Sequence, residues 1–138
     1  MNTPVLLGLL ALVALGLEQF LRKVAIENGA YGPSFMLAAV PAFVLMTILM
    51  HFVQKHSFSL SPKMMGVASL EGTFGAIGIF AVLLAFRLGG HGSIIFPLVG
   101  MGMIVSAGLS IIVYSEPVTA TKLLGLGLGV GSIVALSR

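Results

Sequence analysis

Five runs of apolar residues, separated by only a few polar ones, decide what this chain can fold into. They cover roughly residues 3–27, 33–55, 62–88, 92–115 and 117–137. A helix needs ~20 such residues to cross the ~30 Å hydrocarbon layer of a bilayer. The runs are continuous rather than alternating, which argues against a transmembrane β-barrel. Their ends carry helix punctuation. Asn28-Gly29 and Gly89-Gly90 are stops. Pro33, Pro62 and Pro117 stand at or near first turns, where a missing N–H does no harm. No stretch is left over for a soluble domain. The chain is 58% hydrophobic and 8% charged, with a mean hydropathy of +1.15, far from a water-soluble domain. The sequence therefore predicts an all-α, polytopic membrane protein: one domain, residues 1–138, of five transmembrane helices.

Residues 4–17 have the look of a signal peptide. No basic residue precedes them, however, and Glu18, Gln19, Arg22 and Lys23 follow without a small-residue cleavage pattern. The segment is expected to be a mature transmembrane helix. There is no cysteine, and His51, His56 and His91 show no paired ligand spacing, so no metal or other cofactor is expected. The net charge of +3 is small and scattered between apolar runs, which implies no nucleic-acid partner. No nucleophile, phosphate loop or triad spacing is present, so an enzyme is not expected.

Five crossings put the termini on opposite sides. Lys55, Lys63 and Lys122 then lie on one side, and Arg22, Lys23, Arg87 and Arg138 on the other. This near balance weakly specifies orientation. It is compatible with one orientation or with both, paired as an inverted dimer.

Glu18 and Glu71 interrupt the first and third runs. An ionisable group near a bilayer centre costs at least ~2.5–3.5 kcal/mol on insertion scales, so such groups mark function by default. Helical spacing places Ala11, Ala14, Glu18, Arg22 and Ala25 on one face of the first helix. Ala68, Glu71, Gly75, Gly78, Val82 and Ala85 share a face of the third. These are small-residue faces of the kind that pack against other helices. Glu18 and Arg22 stand four apart, in the order that favours an ion pair. The pair serves either coupling or simple neutralisation near the interface. Glu71 has no such partner, only Lys63 two turns earlier, and is the stronger functional candidate. A buried structural carboxylate is the alternative. Gln19 and Tyr114 are secondary lining candidates.

In the fifth run, Gly125 and Gly129 share one face and Gly127 and Gly131 nearly the opposite one. Each is a GxxxG pair inviting close helix approach, one for the chain's own bundle and one for a partner. Pro97 lies inside the fourth run and permits a kink, either a hinge or a packing bend.

Ala85-Phe86-Arg87-Leu88-Gly89-Gly90, then His91-Gly92-Ser93, Pro97-Leu98, Ser115-Glu116-Pro117-Val118-Thr119 and the glycine-rich Gly125–Ser132 stretch occur in a characteristic order. In that order they resemble the C-terminal half of an EamA-type repeat of the drug/metabolite transporter superfamily. Gly16, seven residues before Lys23, fits the first helix of that pattern. Ser115 stands where the family usually has Gly, and Glu116 is expected at the N-terminal end of the fifth helix.

The resemblance implies half of an inverted-repeat transporter fold. A second copy, antiparallel or paralogous, would supply the rest. Related small multidrug resistance proteins use a first-helix glutamate for protons and cations, similar in type to Glu18. The Gln19…Lys23 spacing looks more like aminoarabinose-lipid flippase subunits. The expected function is dimeric, proton-coupled transport of a small metabolite or cationic compound by alternating access, in a bacterial inner membrane. Glu71 and Glu18 would couple transport to protons or cations, and Arg22 would hold Glu18 or an anionic head group. Two other readings stay open. One is a flippase for a lipid-linked sugar or phospholipid, using Arg22, Lys23 and Arg87. The other is a non-transporting subunit of a membrane complex.

Overall fold

The computed structural model describes residues 3–55 and 57–136, without the side chains of Ile133 and Leu136; His56, Ser137 and Arg138 lie outside the described residues. The described residues form six helices and no strand. They fall into two compact units, Met1–Leu88 and Gly89–Arg138.

The first unit holds α1 (Thr3–Glu27), α2 (Gly32–Gln54) and α3 (Pro62–Arg87). Local chemistry sets each boundary. Beyond α1, Gly29 takes φ +79°, which glycine adopts without a steric cost. The Gly29 N–H then donates to Ile26 O at 2.9 Å and the Ala30 N–H to Ala25 O at 2.9 Å. This is the paired bonding of a Schellman cap. Pro33 stands in the first turn of α2, where it removes no helical bond. At α3, Ser61 Oγ accepts from the Met64 N–H at 3.3 Å, and Pro62 follows as the first helical residue.

The three helices meet at one end. There the last turns of α1, the first turn of α2 and the last turns of α3 converge, burying Gly32, Val82, Leu83 and Phe86. A Cβ on Gly32 would lie 3.5 Å from Leu83 Cβ, an ordinary contact. Away from that end, residues 3–18, 37–55 and 62–78 are all exposed. Large apolar side chains such as Leu10, Phe43 and Phe74 project outward. That suits lipid, which wets apolar side chains but gives the backbone no hydrogen bond outside a helix.

The second unit holds α4 (Gly92–Gly100), α5 (Gly102–Tyr114) and α6 (Ala120–Leu136). The sequence predicts one helix over 92–115 with its weak point at Pro97. The structure instead keeps Pro97 inside α4 and breaks at Met101, where ψ is −8°. Proline removes one N–H, so the Ser93 carbonyl loses its helical donor. The chain slackens at the next cheap place, between Gly100 and Gly102, since glycine gives up the most freedom in a helix. The Ile104 N–H bonds Met101 O three residues back at 2.9 Å, a tighter turn than the α-helix.

The last helix starts at Ala120 rather than at Pro117. Thr119 is its cap: its Oγ1 accepts from the Lys122 N–H at 3.3 Å, and its carbonyl accepts from the Leu123 N–H at 3.1 Å. A threonine cap satisfies an orphan donor, which proline cannot do. Glu116 therefore lies in the preceding loop, outside the helix.

Among the described residues, four segments are long and apolar enough to cross a membrane: Thr3–Glu27, Gly32–Gln54, Pro62–Arg87, and Gly92–Tyr114 taken together. The 17 residues of α6 extend about 25 Å. The chain is thus all-α, with the helix lengths of a multi-pass membrane protein.

Candidate functional site

Four hydroxyls within the spans bond inside their own helices, and the Glu71 carboxylate does not. Thr47 Oγ1 donates to Phe43 O at 2.9 Å, Ser69 Oγ to Met65 O at 2.9 Å, and Thr73 Oγ1 to Ser69 O at 2.8 Å. Ser106 Oγ reaches Gly102 O at 3.3 Å. Each hydroxyl returns to the carbonyl four residues back, so none needs a partner outside its own helix. A carboxylate accepts only, and the helix interior has no N–H to give it. Among the described residues the Glu71 side chain makes no hydrogen bond and no ion pair.

Glu71 stands nine residues into α3, about 14 Å from Pro62 along the axis. It lies on the part of α3 that the first unit leaves open. A Cβ placed on Gly72, Gly75 or Gly78 would find nothing within 4 Å. The small-residue face expected to pack inside the bundle is uncovered from Ala68 to Gly78, while its continuation at Val82 and Ala85 enters the packed end. Lys63 makes no ion pair with Glu71 among the described residues.

Glu18 is in a different situation. Arg22 donates to it through Nη2, and the Arg22 side chain is only 11% exposed against 50% for Glu18. Lys23 stands 3.8 Å from Glu27, the next pair along the same helix. Gln19, Arg22 and Lys23 are half-buried where α1 meets the packed end. The structure thus brings Glu18, Gln19 and Arg22 together on α1 and leaves Glu71 by itself on α3. Tyr114 belongs to the second unit, exposed at the end of α5.

Of the four glycines in α6, Gly129 is the one closely approached. A Cβ there would fall 2.9 Å from Ile104 Cδ1 and 3.6 Å from Met101 Sδ. At Gly125, Gly127 and Gly131 it would meet nothing within 4 Å. No group of three or more His, Cys, Asp or Glu side chains among the described residues is placed to hold a metal ion.

Two features went unread in the sequence. The Arg87 guanidinium lies over the Tyr31 ring, 5.8 Å from its centroid, a cation–π contact at the packed end of the first unit. The signal for it is a repeated turn. Asn28-Gly29-Ala30-Tyr31-Gly32 and Leu88-Gly89-Gly90-His91-Gly92 share the pattern of glycine, small residue, aromatic ring, glycine. The second feature is an ion pair outside the spans, Lys122 Nζ to Glu116 Oε2 at 3.5 Å, with Lys122 Nζ also donating to Pro117 O at 3.0 Å.

Comparison with known proteins adds one relative. An uncharacterised protein of Methanocaldococcus jannaschii is 28% identical over 138 residues, covering 99% of this chain and 98% of its own length. No family model matches the chain. No solved structure matches it.

Proposed function

We propose that this chain is a membrane carrier of the drug/metabolite type, working as a dimer by alternating access, with Glu71 as its coupling carboxylate. The observation that carries the reading is the isolation of Glu71. Every hydroxyl named above satisfies itself within its helix, whereas Glu71 faces outward on an uncovered small-residue face. A lone carboxylate is costly in hydrocarbon, and such groups line substrate or proton paths far more often than they face lipid. A second copy, antiparallel or paralogous, would cover that face and enclose the group. Glu18 is already neutralised by Arg22, which suits a supporting role for that pair. Gln19 lies beside it. Tyr114 is retained as a lining candidate.

The test is flux in phospholipid vesicles with an imposed proton gradient and an entrapped pH dye, over a library of small metabolites and organic cations. The expected result is a solute that discharges the gradient with wild-type protein. With Glu71→Gln it should do so about 100-fold or more slowly, the scale of losing a proton-transfer group. Glu18→Gln should have a smaller effect. Equal rates for wild type and Glu71→Gln would remove Glu71 from the mechanism. A Glu71→Gln protein that no longer cross-links as a dimer would favour the structural-subunit reading.

The flippase reading is kept alive by the packed end of the first unit. Arg22, Lys23 and Arg87 gather there, and Arg87 is held over Tyr31. A head group with a phosphate would find its donors at that end.

A further inference from the structure

The second unit contains a slit of about 590 Å³ between α5 and α6. It is pinned at two places. At one end α6 crosses at Gly129, against Ile104 and Met101. At the other end the loop of residues 115–119 joins the helices. Between these points the helices part, since a Cβ on Gly125 would meet nothing within 4 Å. Ten residues separate Ile104 from Tyr114 on α5, so the slit runs about 15 Å along the axis.

Its walls are Met101, Ile104, Ala107, Ile111 and Leu126, all half-buried, with Ser110 as the polar exception. Its loop end carries opposite charges. Glu116 and Lys122 line it there, paired at 3.5 Å and each about half exposed, at 48% and 45%. An apolar shaft ending in one anion and one cation is the shape of an amphiphile in negative. The loop follows a segment of membrane-spanning length, which puts the ion pair at head-group level and the shaft below it.

We infer that this slit holds one tail of a lipid whose head group is zwitterionic, with its phosphate on Lys122 and its ammonium on Glu116. Charge complementarity selects the head. Lys122 spends donors on Glu116 and on Pro117 O, leaving its third for a phosphate oxygen. Glu116 has lone pairs left for an ammonium. An anionic head would give Lys122 the same phosphate but bring no ammonium to the Glu116 carboxylate. A helix of a second copy would need room for a full backbone, and the walls close at Gly129. The site is separate from Glu71 and does not rest on the carrier reading. Flux reports on Glu71, whereas lipid retention reports on the slit.

The experiment is native mass spectrometry of the full chain, delipidated and then equilibrated with dioleoyl phosphatidylethanolamine or dioleoyl phosphatidylglycerol at equal concentration. Wild type should retain one phosphatidylethanolamine, preferred over phosphatidylglycerol by about tenfold, the effect of one charge-assisted contact near water. Ala107→Phe, which fills the shaft, should lose that lipid. Glu116→Gln, which leaves Lys122 for the phosphate, should keep a lipid but lose the preference. Retention by Ala107→Phe equal to wild type would overturn the site and leave only annular lipid. If Ala107→Phe loses its helical content, Glu116→Gln decides: an unchanged preference overturns the assignment of the head group. Retention of a second protein chain in place of lipid would overturn the choice of occupant.

Discussion

Two segments of this protein begin alike and then diverge. Both α2 and α4 follow a turn in which glycine is left-handed, at φ +79° for Gly29 and +87° for Gly89. Both are entered through an aromatic residue with extended backbone, Tyr31 at φ −77°, ψ 121° and His91 at φ −75°, ψ 132°. Both open on a buried glycine and accept their first bond alike, from Phe35 to Tyr31 O at 3.0 Å and from Ile95 to His91 O at 2.9 Å. Both carry an interior proline, Pro41 and Pro97. Yet α2 runs unbroken to Gln54, while the other segment breaks at Met101. A proline deletes one hydrogen bond in either case. What differs is the sequence just after it. Pro41 is followed by Ala42-Phe43-Val44-Leu45-Met46, and Pro97 by Leu98-Val99-Gly100-Met101-Gly102. The proline loosens a helix, and glycines three and five residues later let it part.

The sharpest way to break this account is to move the glycines. Val44→Gly with Met46→Gly places them after Pro41 as Gly100 and Gly102 stand after Pro97. The pair should weaken α2 by about 2 kcal/mol, at ~1 kcal/mol per glycine, and open it near Leu45. The reciprocal Gly100→Ala with Gly102→Ala should close the break at Met101. Because the chain has no cysteine, spin labels at two introduced ones report on one distance only. Labels spanning Leu45 should move together and labels spanning Met101 apart. If α2 stays straight with both glycines in place, the proline-plus-glycine explanation is wrong.

Packing against α6 is the other difference, since α2 has nothing like the crossing at Gly129. Gly129→Val adds three carbons where the first would already sit 2.9 Å from the tip of Ile104. The tip of an isoleucine can turn aside for a methyl, but not for an isopropyl group, and overpacking of this kind costs about 1–2 kcal/mol. Gly127→Val meets open space and should change stability by less than ~0.5 kcal/mol. Unfolding in mixed micelles of increasing denaturing detergent measures both. Equal losses would mean that the Met101–Ile104 contact does not support the break.

The first three helices were legible because hydrophobic run length and Gly/Pro punctuation are local properties. The second and third helices start and stop within a residue of their expected bounds, at Gly32–Gln54 and Pro62–Arg87. What escaped depends on competition between neighbours. Pro97 was the expected weak point, yet the break fell at the glycines beyond it. Pro117 was expected to open the last helix, yet Thr119 outcompeted it by satisfying a donor. The candidate site was legible in part. Glu18 and Arg22 pair as four-residue spacing requires. The open face around Glu71 could not be read from pattern, because small residues mark a face fit for packing without saying whether this chain supplies what packs there. Tyr31 and Arg87 lie 56 positions apart, and the sequence marked Arg87 as a cation without pairing it to that ring.

The shared turn offers the smallest and most selective test. Tyr31 and His91 occupy equivalent places, but Tyr31 also carries the Arg87 guanidinium on its ring face. Tyr31→His makes the first turn like the second, keeping an aromatic ring and the extended backbone while weakening the electron-rich face. Tyr31→Leu removes the ring altogether. A cation–π contact at an exposed site contributes about 0.5–1 kcal/mol. Crossing each change with Arg87→Gln in a double-mutant cycle isolates that coupling from the loss of apolar area. The Leu cycle should return about 0.5–1 kcal/mol and the His cycle less. Zero coupling in both would mean that Arg87 only rests on the ring. The two turns would then be equivalent in energy as well as in backbone, and the difference between α2 and α4 would begin only after their prolines.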